Sequence, residues 1–244
     1  MPAASAALVA AVWVLNSGSV SSNPAVWRAW AAEDYGDLRE AMVGEQIIAR
    51  GVSDHNVLAA LRGVPRHRFV PRPLVPQAYS DRPLPIGNGQ TISQPYIVAF
   101  MSELLDLRKS HKVLEIGTGC GYQAAVLSGL AGKVYSMEIV KELGVQARER
   151  LQTLGYDNVV VRIGNGYAGW PEQAPFDRII LTAAPNELPQ ALVDQLKPGG
   201  KLVAPVGPVY GNQELVVVTK DAQGKVRRQS VLPVRFVPMV QAPE

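Results

Sequence analysis

The sequence predicts an α/β protein: a doubly wound, mostly parallel sheet of seven strands, with an antiparallel C-terminal hairpin and an N-terminal helical cap. Three observations lead there. From His111 onward, short apolar runs of strand character alternate with helical patterns, as in parallel strands joined by crossover helices. The last two runs, "ELVVVTKD" and "SVLPVRFVPMV", are joined through the turn "AQGK" and so pair antiparallel. Upstream of the sheet lie two helix-period stretches and a proline-rich run.

Composition sets the bounds. A chain of 244 residues makes one large α/β domain or two small ones. At 47% hydrophobic and 18% charged it can bury a core. The net charge of +3 is small, and no basic stripe carries interleaved aromatics, so nucleic-acid binding has little support. The basic cluster "KVRR" (225–228) reads as a solvated turn. A single cysteine, Cys120, excludes an internal disulfide framework, and His55, His67 and His111 are scattered, so no metal site is expected.

Residues 1–37 form an N-terminal extension. Its run "AASAALVAAVWVL" (3–15) is too short to span a bilayer. It has the length of a signal-peptide core and is followed by small residues, yet no Lys or Arg precedes it. Three readings stand: a weak export signal, a disordered or loosely docked extension, or a start placed too early. Residues 38–240 read as one domain, with a cap over 38–93 and a core over 94–240. In the cap, "LREAMVGEQIIAR" sets Met42, Val43, Ile47 and Ile48 on one helical stripe closed by Gly51. "SDHNVLAALRGV" follows as a helix with Ser53 as N-cap. The stretch "VPRHRFVPRPLVPQAYSDRPLPIG" holds six prolines and wraps the surface. A helix is predicted over 94–107, with Pro95 in its first turn.

Within the core, "HKVLEIGTG", "KVYSMEI", "NVVVRIG", "FDRIILTAA" and "KLVAPVG" are the parallel strands. Helices over "YQAAVLSGLA", "KELGVQARERLQTLG" and "LPQALVDQL" separate them, the last ended by "KPGG". The strand–loop–helix "VLEIGTGCGYQ" places Gly117, Gly119 and Gly121 where backbone can meet a ligand at a helix N-terminus. The spacing is G-x-G-x-G, not the G-x-G-x-x-G of a dinucleotide loop, and no Lys-Ser or Lys-Thr pair makes it a phosphate loop. Glu115 precedes the glycines. Glu138 ends the next strand, where a carboxylate can accept both hydroxyls of a ribose. All these residues fall at the carboxyl ends of strands, the ligand side of an open α/β sheet.

These motifs, with "RIGNGYAGW", "PFDRIILTAAP" and "LKPGGKLVAPVG", resemble the Rossmann-like class I S-adenosylmethionine-dependent methyltransferases. More narrowly, "VLAALRGVPRHRFVP", "LPIGNGQTISQPYIVAFM" and "VRFVPMV" resemble the protein-L-isoaspartate O-methyltransferase family, over about Leu38 to Val240. The resemblance implies methyl transfer from S-adenosylmethionine to the α-carboxylate of L-isoaspartyl residues in damaged proteins, a repair reaction without a metal. It implies Ser93 as the residue that positions the acceptor. As cofactor contacts it implies Gln90, Thr91, Ile92, Ser93, Glu115, Gly117, Thr118, Gly119, Gly121, Glu138, Asn165 and Gly166. The family usually has Asp-Gly where this chain has Asn165-Gly166, so modestly weaker cofactor binding is expected.

The role implied for Ser93 agrees with the chemistry. An ionised carboxylate needs no general base, so a histidine beside "TISQP" is not required. A neutral hydroxyl can hold the carboxylate without the tight pairing of a Lys or Arg. As a local element, Ser93 also suits an N-cap of the following helix. Cys120 reads as a small packing residue, and Asp177 as a structural strand start. Three other classes remain: a methyltransferase for another acceptor, an NAD-dependent oxidoreductase, and a cofactor-binding module without turnover. The family's usual setting makes a cytoplasmic protein the expectation, without stable membrane association, and export the alternative if residues 1–22 are a signal peptide; no long exposed apolar stripe demands a partner, so a monomer is expected.

Overall fold

The computed structural model describes residues 35–241; the extension, apart from its last three residues, lies outside them, and with it the export-signal reading. The cap opens with helix α1 (Gly36–Ala41), which continues as a π turn over Met42–Ile47 and a 3-10 turn over Ile48–Arg50. The change of winding keeps Met42, Val43 and Ile47 all buried. Gly51, at φ 92°, ends the run in the left-handed region, as the sequence predicts. Helix α2 (His55–Gly63) is capped by Asp54, not Ser53: the Asp54 side chain accepts from Val57 N at 2.9 Å. The Ser53 amide is taken elsewhere. It and the Asp54 amide both donate to Glu103 Oε1 at 2.7 Å, tying the start of α2 to helix α3 (Pro95–Leu104).

The proline-rich stretch wraps as expected, through 3-10 turns at Arg66–Phe69 and Arg72–Gln77. It also forms a small hairpin that its prolines conceal: β1 (Leu84–Gly87) pairs antiparallel with β2 (Gln90–Ile92). The turn is Asn88-Gly89, both with positive φ (51° and 69°), the backbone that a tight Asn-Gly hairpin requires.

The main sheet has seven strands, as predicted. They are β3 (Lys112–Ile116), β4 (Lys133–Glu138), β5 (Val159–Ile163), β6 (Phe176–Leu181), β7 (Leu196–Val206), β8 (Gln213–Lys220) and β9 (Val226–Val234). Their order is β5-β4-β3-β6-β7-β8-β9, with β3 to β7 parallel and β7-β8-β9 antiparallel. Helices α4 (Tyr122–Leu130), α5 (Lys141–Thr153) and α6 (Gln190–Asp194) lie in the crossovers. Val113, Leu114 and Ile116 of β3 and Ile179, Ile180 and Leu181 of β6 are all buried, which is why these strands read as continuous apolar runs. The order turns around at β3 and β6, and the crevice outside their carboxyl ends is where such a sheet takes a ligand.

Two boundaries differ from the prediction. "KPGG" belongs to the start of β7, beside a register shift opposite β6, and does not merely end a helix. The last strand begins at Val226 and stops at Val234. All of "KVRR" but Lys225 is therefore part of an exposed edge strand, where Arg227 and Arg228 discourage pairing with another sheet. Residues 235–240 leave the sheet. Gln213 accepts from Phe236 N at 2.7 Å, and the chain crosses to form a parallel bridge between Pro238 and Ala184.

Candidate active site

The site grows from the end of β3. Gly117 and Thr118 both donate their amides to Met137 O, at 2.8 and 3.1 Å, so the loop turns tightly against β4. Gly117 has φ 102°, and a Cβ there would stand 2.4 Å from Thr182 Oγ1; no other residue fits. Glu138 closes β4 beneath the loop. Its Oε2 accepts from Gly119 N at 2.7 Å and its Oε1 from Val140 N at 2.9 Å. Each oxygen keeps a further lone pair for a ligand.

Above these residues lies a cleft, partly open to solvent. Of the residues named from sequence, Gln90, Thr91, Ile92, Ser93, Gly117, Thr118, Gly119, Glu138 and Gly166 line it. Three do not. Gly121 is the left-handed cap of α4, packed against Leu151. Asn165 points to its own turn, with Oδ1 accepting from Tyr167 N at 3.0 Å. Glu115 is fully buried behind the loop, where burial first, opposed by the Ser136 hydroxyl and reinforced by Glu138, pushes its carboxyl up to about 8.

Ser93 sits between β2 and α3 on the far wall. It is not the helix cap: that position is Gln94, whose side chain bonds to Asp81 instead. No hydrogen bond ties the Ser93 hydroxyl to another described residue. Its carbonyl is held from behind by Arg66, which donates from Nη2 at 2.7 Å and from Nε to Ala78 O at 2.8 Å. Arg66 is fully buried, with its guanidinium 4.8 Å from the centre of the Tyr122 ring. No carboxylate among the described residues pairs with it, and burial lowers its pKa.

The roof is a part of the site that the sequence pattern does not reveal. Val237, Pro238, Met239 and Val240 line the cleft, held by Met239 N donating to Ala184 O (2.8 Å) and Tyr167 Oη donating to Met239 O (2.9 Å). "VRFVPMV" was visible as a motif, but it reads as strand by composition. Gln213, the bridge to Ala184 and Tyr167 turn it over the site.

Glu138 is the only charged side chain among the lining residues, and no histidine is among them. The cleft thus suits a cationic ligand with ribose-like hydroxyls, and holds no cation that would pair tightly with an incoming carboxylate. Cys120 is buried, with burial pushing its thiol up, as suits packing. Asp177 lies away from the cleft at the foot of β6, where it accepts from Lys112 N and Lys197 Nζ, both at 2.8 Å. Its structural reading stands. Among the described residues no cluster of His, Cys, Asp or Glu could hold a metal ion, and no helix is long and apolar enough to cross a membrane.

Residues 38–244 match the family model of Protein-L-isoaspartate(D-aspartate) O-methyltransferase. A Protein-L-isoaspartate O-methyltransferase of Picosynechococcus is 57% identical over 202 residues, 83% of this chain and 90% of that one. One of Opitutus terrae is 55% identical over 203 residues, 83% of this chain and 87% of that one. A solved Plasmodium falciparum chain in complex with S-adenosyl-L-homocysteine is 26% identical with a TM-score of 0.73, covering 84% of this chain and 99% of that one. The chain belongs to the protein-L-isoaspartate(D-aspartate) O-methyltransferase family.

Proposed function

We propose that this chain repairs damaged proteins by moving a methyl group from S-adenosylmethionine to the α-carboxylate of L-isoaspartyl residues. Family membership supports the reaction, and the single structural observation that carries it is the pairing of two walls. Glu138 and the glycine loop form one; Ser93, with its hydroxyl uncommitted, faces the same cleft from the other. The cofactor's fit rests on Glu138, whose remaining lone pairs suit a ribose diol, and on Gly117, Thr118 and Gly119, which line the cleft beside it.

When bound, S-adenosylmethionine supplies an electrophilic methyl group on a sulfonium sulfur. The acceptor carboxylate is already ionised at pH 7, since a chain-end carboxyl has a reference pKa below about 4. The chain therefore has no proton to remove, which accords with a cleft lined by no histidine. Its task is alignment, and holding two reactants in line contributes roughly 7–11 kcal/mol. Ser93 offers a neutral donor that orients the carboxylate and leaves an oxygen lone pair free to attack. Arg66, bonded to the Ser93 carbonyl, fixes where that donor stands. The roof of Val237 to Val240 adds apolar side chains to the lining of the cleft.

We assign residues 38–93 to the cap and 94–240 to the catalytic core, and read the enzyme as a cytoplasmic monomer acting on isoaspartyl polypeptides. Paired peptides test the function: with labelled S-adenosylmethionine, base-labile label is expected on the isoaspartyl peptide and none on its aspartyl twin. Binding of the cofactor without label on either peptide would sink the repair reading.

A further inference from the structure

A buried polar chain runs from the cleft into the sheet. Thr118, which lines the cleft, has its Oγ1 2.6 Å from Ser136 Oγ, and Ser136 Oγ lies 2.5 Å from Glu115 Oε2. Glu115 and Ser136 are fully buried, on facing positions of β3 and β4. The residue beside Glu115 on β6 is the apolar Ile180. Among the described residues the one charged group set against it is Glu138 of β4, of the same sign, and Glu115 Oε1 has no hydrogen-bond partner.

Counting protons decides what this chain does. With Glu115 ionised, two protons serve two bonds: Thr118 donates to Ser136, and Ser136 donates to Glu115. Thr118 then shows the cleft only lone pairs, and the unpartnered Oε1 carries charge in the core beside Glu138. Such a bare buried charge is strongly disfavoured. With Glu115 neutral there are three protons. A proton on Oε1 would be a buried donor with no acceptor, so it sits on Oε2 and reverses the bond: Oε2 donates to Ser136, Ser136 donates to Thr118, and the Thr118 proton is left for a ligand. Oε1 is then an uncharged carbonyl oxygen, a far cheaper group to leave unpaired.

We propose that Glu115 is a positioning residue: as a neutral acid it orders the Ser136–Thr118 chain so that Thr118 donates to an acceptor group of the bound S-adenosyl ligand, and its ionisation reverses the chain. The inference rests on the reading above that the cleft takes this ligand. It also places Glu115 two steps behind the contact made by Thr118, acting on the ligand through two hydroxyls.

The test is S-adenosylhomocysteine binding by calorimetry from pH 6.5 to about 9.5, for wild type, Glu115→Gln and Ser136→Ala. The raised carboxyl holds its proton below about 8 and loses it above. Binding that needs the proton therefore weakens as pH rises, by about tenfold per pH unit beyond that point. A Gln side chain donates through its amide nitrogen at every pH, so Glu115→Gln should keep its affinity and lose that slope. What slope remains belongs to the ligand's own amine and is common to all three proteins. Ser136→Ala cuts the chain and should bind more weakly at pH 7, also without the slope. Infrared spectra of the ligand-free protein at pH 7 should show a protonated carboxylic acid band that Glu115→Gln lacks. Superimposable pH profiles for wild type and Glu115→Gln, or no such band, would overturn this inference alone. No binding at any pH would overturn it together with the reading it rests on.

Discussion

The two walls of the cleft are built differently. The cofactor wall hangs on main-chain bonds at the ends of buried parallel strands. Gly117, Thr118 and Gly119 all give their amides to groups of β4, two to Met137 O and one to Glu138. The acceptor wall is made of segments that leave regular structure, held by single side chains and by one short main-chain bridge to Ala184. Arg66 fixes the Ser93 carbonyl, Gln94 reaches Asp81, and Tyr167 holds the Met239 carbonyl. Under the function proposed above, cofactor binding is therefore part of the fold itself, and acceptor positioning sits on top of it.

Substitutions that strike one wall and spare the other sharpen this contrast. The largest effect is expected for Glu138→Ala. It removes the ligand's hydroxyl acceptor and strands the Gly119 and Val140 amides, so S-adenosylhomocysteine affinity should fall by about a hundredfold, from two lost charge-assisted bonds of about 1.5 kcal/mol each. A calorimetric Kd checks it. Gly117→Ala comes next: the left-handed backbone and the 2.4 Å approach to Thr182 Oγ1 should cost about 2–3 kcal/mol of stability, seen as an earlier urea midpoint, with affinity lost in parallel.

On the other wall, Arg66→Met keeps bulk but leaves the Ala78 and Ser93 carbonyls without their donor. About 2 kcal/mol of stability should go, and the peptide KM should rise more than the cofactor Kd. Equal losses in both would break the distinction between the walls. The smallest change is Asn165→Asp. Its side chain caps its own turn and does not line the cleft, so the charged acceptor should tighten cofactor binding by no more than about fivefold.

The cofactor wall was also the more legible. A strand that is buried on both faces announces itself as an apolar run, and Gly117 and Glu138 follow from what a nucleotide-like ligand needs at strand ends. Ser93 was legible only because "GQTISQP" resembles a known motif; by local rules it reads equally well as a helix cap. The structure gives that cap to Gln94. Contacts between distant residues could not be read. Arg66 reaches Ser93 across 27 positions, and Tyr167 reaches Met239 across 72. No local pattern encodes such pairs. The same holds for Ser53, whose amide bonds to Glu103 and leaves the cap to Asp54. "VRFVPMV" has strand composition to its end, but the pull of Gln213 and Ala184 decides where the strand stops.

The most direct measurement on the central claim compares wild type with Ser93→Ala in two assays: methyl transfer to an isoaspartyl peptide, and S-adenosylhomocysteine affinity. If Ser93 orients the acceptor from a separable wall, kcat/KM should drop by about a hundredfold, near 2.7 kcal/mol of lost transition-state alignment, while the cofactor Kd stays within about twofold. Unchanged transfer, or a loss of transfer matched by an equal loss of cofactor affinity, would contradict that role for Ser93.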